Sequence, residues 1–571
     1  MKSKLKVFLK HNYIYIIMVV LVIARIALGY MLGAWYMVDY VYDDLAMVDG
    51  ISFLRITEPS DMSLIKNLSF SAFLGITGLT GIPYTIMTGI LWALTALVVW
   101  LFLRKVTDKK WVQLFGFIYV LFLPIAFESW GGLRVYRNAI IAPCIILTFF
   151  LFFLFIIDII KWNEVKKSTV ITSILAGIAF CYTYFLKEDG IWLVLSIAAL
   201  LGACVCIIIV RTLLARKKKK DRCSKKSIKW ALVCIIPFIV LFIGDNTYKS
   251  FNQMAFGVRE VNTRTEGELG KFVYNVYKIK SPNRSMLVWA PYDAIEAAFK
   301  ASPTLSSHPQ LLEKIMTTEW FNGDIKENPI GKDFLTWVIR TELVHSGLWT
   351  SEKDVNDMFR QVNQELKQAF DDGTLEKETG KIQIVSSIGG YSLEEVKNSN
   401  LASQLWWALE DAVWLKGYNI GYQYDVESNK DKVERVTNLD KNSLNNPGGT
   451  KKEISKGIIE VFCVFYRIIN TVLLVGSVVF IVSQIVKLIK HKKQDIALPY
   501  LAGLGLFMFG ITFAYTFATA WFFLYPSGVE FYGSGREVFI FYNVGVPGLL
   551  TTAFIVLLPG ISTLLSKNKC L

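Results

Sequence analysis

Long apolar runs alternate with short polar breaks over most of this chain. Runs near the length needed to cross hydrocarbon occur at about 13–35, 83–103, 111–127, 139–160 and 169–186. Five more follow at about 190–210, 230–243, 457–486, 497–524 and 538–565, which makes ten expected spans. The apolar, glycine-rich piece between Leu68 and Gly81 is too short to cross alone and reads as an interfacial or re-entrant helix. The interruption at 245–456 has a different rhythm. Apolar residues recur there at helical spacing over Pro291–Ala301, His308–Trp320, Lys332–His345, Ser351–Phe370 and Leu401–Leu415. Its tryptophans, Trp320, Trp337, Trp406, Trp407 and Trp414, read most simply as the core of that block.

The pattern therefore predicts an all-α polytopic membrane protein in three parts. An amino-terminal transmembrane module of about seven helices covers 1–244, with its first outward loop at 36–82. A mainly helical extracytoplasmic domain covers 245–456, and a carboxy-terminal module of about three helices covers 457–571.

Composition agrees with this division. The chain is 53% hydrophobic and 19% charged, outside the soluble globular class. Its net charge of +14 is gathered in short clusters between spans: Arg104-Lys105 with Lys109-Lys110, Lys161 with Lys166-Lys167, 216–229, 490–493, and Lys567 with Lys569. Every one falls in a gap on the same side of the membrane, as the positive-inside rule requires for cytoplasmic loops. The excess charge is thus a topology signal, and nucleic acid is not an expected partner. Both termini are expected in the cytoplasm of a cell-membrane protein. No small-residue cleavage site follows the first run, so that run is expected to remain as a helix. All eight cysteines fall in spans or on the cytoplasmic side, which suits packing rather than disulfides.

Candidate chemistry gathers at the outward ends of the spans. Asp39, Asp43 and Asp44 follow the first run; Asp39 and Asp43 share a face if the segment is helical, and paired acids suit a general base. A solvated acidic exit loop would look the same. The second outward loop joins Glu128 to Arg134, Tyr136 and Arg137 within a short hairpin. Arginine forks match phosphate oxygens, although snorkelling or pairing with Glu128 also accounts for them. Lys187-Glu188 opens the third loop, Lys66 precedes the re-entrant piece and Arg536 precedes the last run, each a candidate substrate contact or an ordinary polar cap. Nucleotide-binding, zinc-protease and serine-hydrolase motifs are absent, and four scattered histidines do not suggest a metal site.

The order of these features resembles the GT-C superfamily of membrane glycosyltransferases, within it the bacterial proteins grouped with protein O-mannosyltransferases and lipid A aminoarabinose transferases. The resemblance covers roughly the first 245 residues and rests on Tyr42–Leu45 as Y-D-D-L, Leu133–Arg137 as L-R-x-Y-R and Lys187–Gly190 as K-E-D-G. Two departures stand out: Asp43-Asp44 where the mannosyltransferase pattern has Asp-Glu, and Asn67-Leu68-Ser69 in place of a proline-rich stretch. The resemblance implies transfer of a sugar from a polyprenyl-phosphate carrier to a cell-envelope glycan, lipid or protein at the outer face. Asp43 or Asp44 would then activate the acceptor hydroxyl, Glu128 would be the second-loop acid, and Arg134 and Arg137 would steady the departing phosphate. A divalent ion such as magnesium or manganese is compatible with these oxygen ligands, but the sequence does not demand it. A transporter or flippase of envelope precursors and a non-catalytic assembly protein are the rival readings; clustered charges at span ends and dissimilar halves favour the transferase.

The charge pattern makes a direct prediction about topology. In a background with the eight native cysteines replaced by serine, Asp371→Cys is expected to react with a membrane-impermeant maleimide in intact cells, and Lys219→Cys only after the cells are opened. The opposite pattern would overturn the assigned orientation.

Overall fold

A computed structural model of the chain describes residues 2–36, 42–49, 61, 63–217, 222–384, 388–420, 430–439, 449–490, 497–529 and 535–567. The amino-terminal helices are α1 (Lys2–Leu32), α2 (Tyr42–Asp49), α3 (Ser69–Thr80), α4 (Tyr84–Val106), α5 (Lys110–Leu121), α6 (Asn138–Ile160), α7 (Lys167–Tyr184), α8 (Ile191–Lys217) and α9 (Arg222–Phe256). The central block holds α10 (Glu268–Val276), α11 (Tyr292–Ala301), α12 (Pro303–Ser306), α13 (Pro309–Met316), α14 (Leu335–His345), α15 (Glu352–Asp371), α16 (Leu393–Lys397), α17 (Leu401–Trp414) and α18 (Lys430–Thr437). The chain closes with α19 (Thr450–Ile489), α20 (Ala497–Phe522), α21 (Gly535–Tyr542) and α22 (Val546–Lys567). Among the described residues the only β pairing is in isolated bridges.

Nine described helical segments are long and apolar enough to cross a membrane. The protein is thus all-α and polytopic. Ten spans were expected, and the difference is α7, a regular 18-residue helix outside the nine whose Ser168, Thr169, Thr172 and Ser173 dilute its apolar content. It still packs along α6 and α9. Two other expected runs are broken by proline. Pro124 starts a 3-10 turn, Pro124–Phe127, after α5, and Pro547 sits in the first turn of α22, which separates it from α21.

The bundle is organised around α6 and α22. The apolar window of α6 is 89% buried, whereas that of α1 or α9 is 22% buried, as expected for helices facing lipid. Small residues permit the close crossings. A Cβ on Gly177 of α7 would sit 3.0 Å from the Pro237 backbone of α9, and one on Gly505 of α20 would meet the Leu557 side chain of α22 at 2.4 Å. Arg25, buried within α1, donates from Nε to the carbonyl of Leu121, the last residue of α5, at 3.1 Å. A cation there complements the negative end of the helix dipole.

In the central block, α10, α11, α12, α13, α14 and α15 enclose an apolar core that includes Phe272, Leu305, Val338 and Phe359. Trp521 and Leu524, at the end of α20, belong to the same core, so the block is stapled to the membrane bundle. Helix starts follow capping rules: Ser351 accepts from Asp354 N, and Ser392 and Glu395 form a capping box. The tryptophans divide differently from expectation. Trp337 is buried, but Trp406 is 53% exposed, and Trp414 donates to Thr471 of α19 because α17 packs against the closing helices. Trp289, in the α10–α11 connection, is the fully buried tryptophan of the block core.

Candidate functional site

The hairpin between the 3-10 turn and α6 is the centre of the site. It is built by short-range geometry. Gly132 N donates to Ile125 O at 3.0 Å and Leu133 N to Glu128 O at 3.1 Å, folding the segment back on itself. A side chain at Gly132 would strike the Ala126 carbonyl, its Cβ falling 2.1 Å from that oxygen. The hairpin then pairs with the exit of α1: Trp35 N donates to Leu133 O at 3.0 Å and Val135 N to Trp35 O at 2.7 Å. Trp35 Nε1 completes the joint by donating to Ser129 O at 2.7 Å.

That joint aims Arg134 inward. Its Nε lies 3.1 Å from each Asp44 oxygen and its Nη2 2.6 Å from Oδ1, a forked pair in which both side chains are 2% exposed. Trp35, Trp130, Tyr136 and Phe541 surround the guanidinium, with ring centroids 4.9 to 5.4 Å from its carbon. Aromatic faces offset part of the desolvation that burying the cation requires.

Three residues on, Arg137 caps the start of α6, and its Nη1 donates to both Glu188 carboxylate oxygens at 2.8 and 2.7 Å. Glu188 also lies 3.9 Å from Arg264, whose Nη1 donates to Asp333 at 3.0 Å. A chain of alternating charge, Arg137, Glu188, Arg264 and Asp333, therefore runs from the membrane bundle into the central block. Burial opposes ionisation of Glu188, but Arg137, Lys66 and Arg264 together outweigh it and hold the carboxyl well below its usual range. Lys187 is raised despite burial, with Asp189 and Tyr515 favouring its charge; its Nζ lies 3.3 Å from Asp189. Lys66 Nζ sits over the Trp337 ring, 5.2 Å from the centroid.

These groups share one cavity of about 1430 Å³. Lys66, Arg134, Tyr136, Arg137, Lys187 and Glu188, all singled out in the sequence, lie in its wall. One flank is apolar and comes from two membrane helices, with Trp192 and Leu195 from α8 and Phe507, Ile511 and Ala514 from α20. The opposite flank comes from the central block and includes Trp320, Asn328, Lys332 and Phe334. Apolar, charged and aromatic zones are thus continuous.

Other expected residues lie elsewhere. Asp44 is behind the wall, occupied by Arg134, and Glu128 is likewise outside the lining. Arg536 pairs with Asp411 at 2.5 Å and Glu410 at 2.9 Å on α17, away from the cavity. Asp39 and the side chain of Asp43 lie outside the described residues. Conversely, Arg264, Lys332 and Asp333 belong to the wall and had no local signal, since the central block is rich in charge throughout. Among the described residues no group of three or more His, Cys, Asp or Glu is placed to hold a metal ion.

Glu128 has a structural setting of its own. It is fully buried, Gly131 N donates to its Oε2 at 2.6 Å, and Oε1 has no hydrogen-bond partner. Burial pushes its carboxyl up to about 8, with backbone hydrogen bonds at Trp130, Gly131 and Asn419 opposing incompletely. The folded state therefore keeps a proton that the unfolded chain gives up near pH 4, and stability falls as pH rises from there through about 8. Glu128→Gln is expected to match wild type in unfolding free energy near pH 4 and exceed it near pH 8, by on the order of a few kcal/mol; parallel pH profiles would contradict this. Compared with known proteins, the chain matches no family model, no curated protein and no solved structure.

Proposed function

We propose that this protein is a membrane glycosyltransferase that moves a sugar from a polyprenyl-phosphate carrier to a cell-envelope glycan, lipid or protein at the extracytoplasmic face of the cytoplasmic membrane. The observation that carries the proposal is the continuity of the cavity, from an apolar flank on α8 and α20 to a charged centre on Arg137, Glu188 and Arg264. A polyprenyl phosphate has the same order of chemistry: an apolar chain that stays in lipid, then an anion, then a polar sugar.

In this reading the lipid chain lies between α8 and α20, and Arg137 and Arg264 take the phosphate. Glu188 holds Arg137 by hydrogen bonds and faces Arg264 at 3.9 Å, so both guanidinium groups are placed before the donor arrives. The anomeric carbon gains a bond to the acceptor oxygen and loses its bond to the phosphate oxygen, and the electron pair leaves with the phosphate. The acceptor hydroxyl gives its proton to a carboxylate. Asp189, paired with Lys187 at 3.3 Å, is 49% exposed in the cavity wall and so accessible to substrate, whereas both oxygens of the buried Asp44 face Arg134. Asp44 then acts as a positioning residue for the hairpin, and Asp43 keeps the role implied by the family resemblance. The donor, the acceptor and the bilayer are the partners this chemistry requires.

The test is label transfer from radiolabelled polyprenyl-phosphate sugars to an envelope extract by protein in lipid. Arg137→Gln is expected to lower transfer about 100-fold and to weaken donor binding more than acceptor binding. Asp189→Asn and Asp43→Asn, assayed side by side, identify the base by which one abolishes turnover while donor binding persists. An intact wild type that binds donor and transfers nothing across a broad panel would remove the assignment.

A further inference from the structure

We infer that Lys332 is an anion seat in the central-block wall of the cavity, taking a phosphate or carboxylate group of a bound ligand. The inference rests on the cavity being a ligand site, as proposed above, and not on the transfer reaction itself.

The backbone at Lys332 has φ of 47°, the left-handed region that a lysine rarely adopts. Two contacts hold it there: Lys332 N donates to Leu287 O at 2.8 Å, and its carbonyl accepts from Tyr277 OH at 3.4 Å. This conformation turns the side chain inward, and the residue is 3% exposed. Nζ donates to Tyr391 OH at 3.0 Å and to the carbonyl of Leu524, and lies 5.2 and 5.3 Å from the centroids of Trp289 and Tyr391. An ammonium has three N–H donors. Two go to neutral oxygens, no third partner is present among the described residues, and Lys332 is part of the cavity wall.

Its electrostatic setting differs from that of its neighbours. Arg134, Arg137, Lys187 and Arg264 each have a carboxylate within 4 Å, whereas Lys332 has none among the described residues. Asp333, next in the chain, is turned to Arg264. Burial accordingly draws the Lys332 ammonium down to about 7, with Asp333 and Glu395 opposing. A buried cation without a counter-charge is unfavourable, and an anion delivered by the ligand removes that penalty.

Equilibrium binding to the full chain in nanodiscs tests this with three probes: glycerol 3-phosphate, glycerol as its neutral twin, and a polyprenyl phosphate. The wild type is expected to bind a phosphate probe and not glycerol, and Lys332→Gln to weaken that binding about tenfold or more. Lys332→Arg, which keeps the charge, is expected to retain most of it. Dependence of glycerol 3-phosphate on Lys332 places the anion on a water-soluble substrate; dependence of the polyprenyl phosphate alone places it on the carrier. If neither phosphate binds the wild type, or both bind Lys332→Gln as tightly, the inference is overturned. Should Lys332→Gln not fold, Lys332→Met, whose apolar side chain suits the buried position, takes its place in the same comparison. Transfer activity does not enter this readout, so failure of the glycosyltransferase proposal shows only in the label-transfer assay.

Discussion

The forked pair between Asp44 and Arg134 is the interaction on which the site depends. Two unit charges removed from water are strongly unfavourable unless geometry and surrounding dipoles compensate, and breaking such a pair by removing one member typically costs about 3–5 kcal/mol. Here the compensation comes from parts of the chain far apart in sequence: Asp44 from α2, four aromatic rings, and Tyr84 OH, which donates to the Arg134 carbonyl at 3.1 Å. Because those groups must assemble before the charges can be buried, the exit of α1, the start of α4 and the hairpin are fixed relative to one another. Arg137 inherits its position from that joint.

From this fixed point the charges proceed outward in alternation. Arg137 meets Glu188 at the α7–α8 turn, Glu188 faces Arg264 beyond α9, and Arg264 reaches Asp333 ahead of α14. Glu188 lies between two cations and Asp333 ends the chain on Arg264, so these charges are paired without ligand. A phosphate entering beside Glu188 meets guanidinium groups already placed, which lowers the reorganisation that binding requires. Lys332 breaks the alternation, being held by a carbonyl and a phenol. The apolar flank on α8 and α20 belongs to the same cavity.

Much of the helical framework was legible because spanning a membrane forces every segment to be long and apolar. The boundaries were less so. Hydropathy ends the α9 run near Ile243, yet the helix continues to Phe256 because its polar extension is still compatible with helix and carries an i,i+4 pair, Asp245 with Lys249. The short piece at 68–81 forms α3 at nearly its expected limits. At the site, six residues picked from span ends share one wall, since span ends on one side of a bundle converge on one surface. What could not be read was pairing. Asp44 meets a partner 90 positions later and Arg536 meets α17 more than a hundred positions earlier, contacts that no local pattern encodes. Arg264, Lys332 and Asp333 were hidden for a related reason: in a block rich in charged residues, nothing distinguishes the few that turn inward.

The central claim is that the cavity receives the carrier phosphate at the arginine centre with its lipid chain leaving between α8 and α20. An experimental structure of the protein in lipid with a bound polyprenyl phosphate tests it most directly. The account predicts phosphate density within hydrogen-bonding distance of Arg137 or Arg264 and chain density against Leu195 and Ile511. A carrier seated elsewhere on the bundle, with this cavity holding only solvent at saturating ligand, would contradict it.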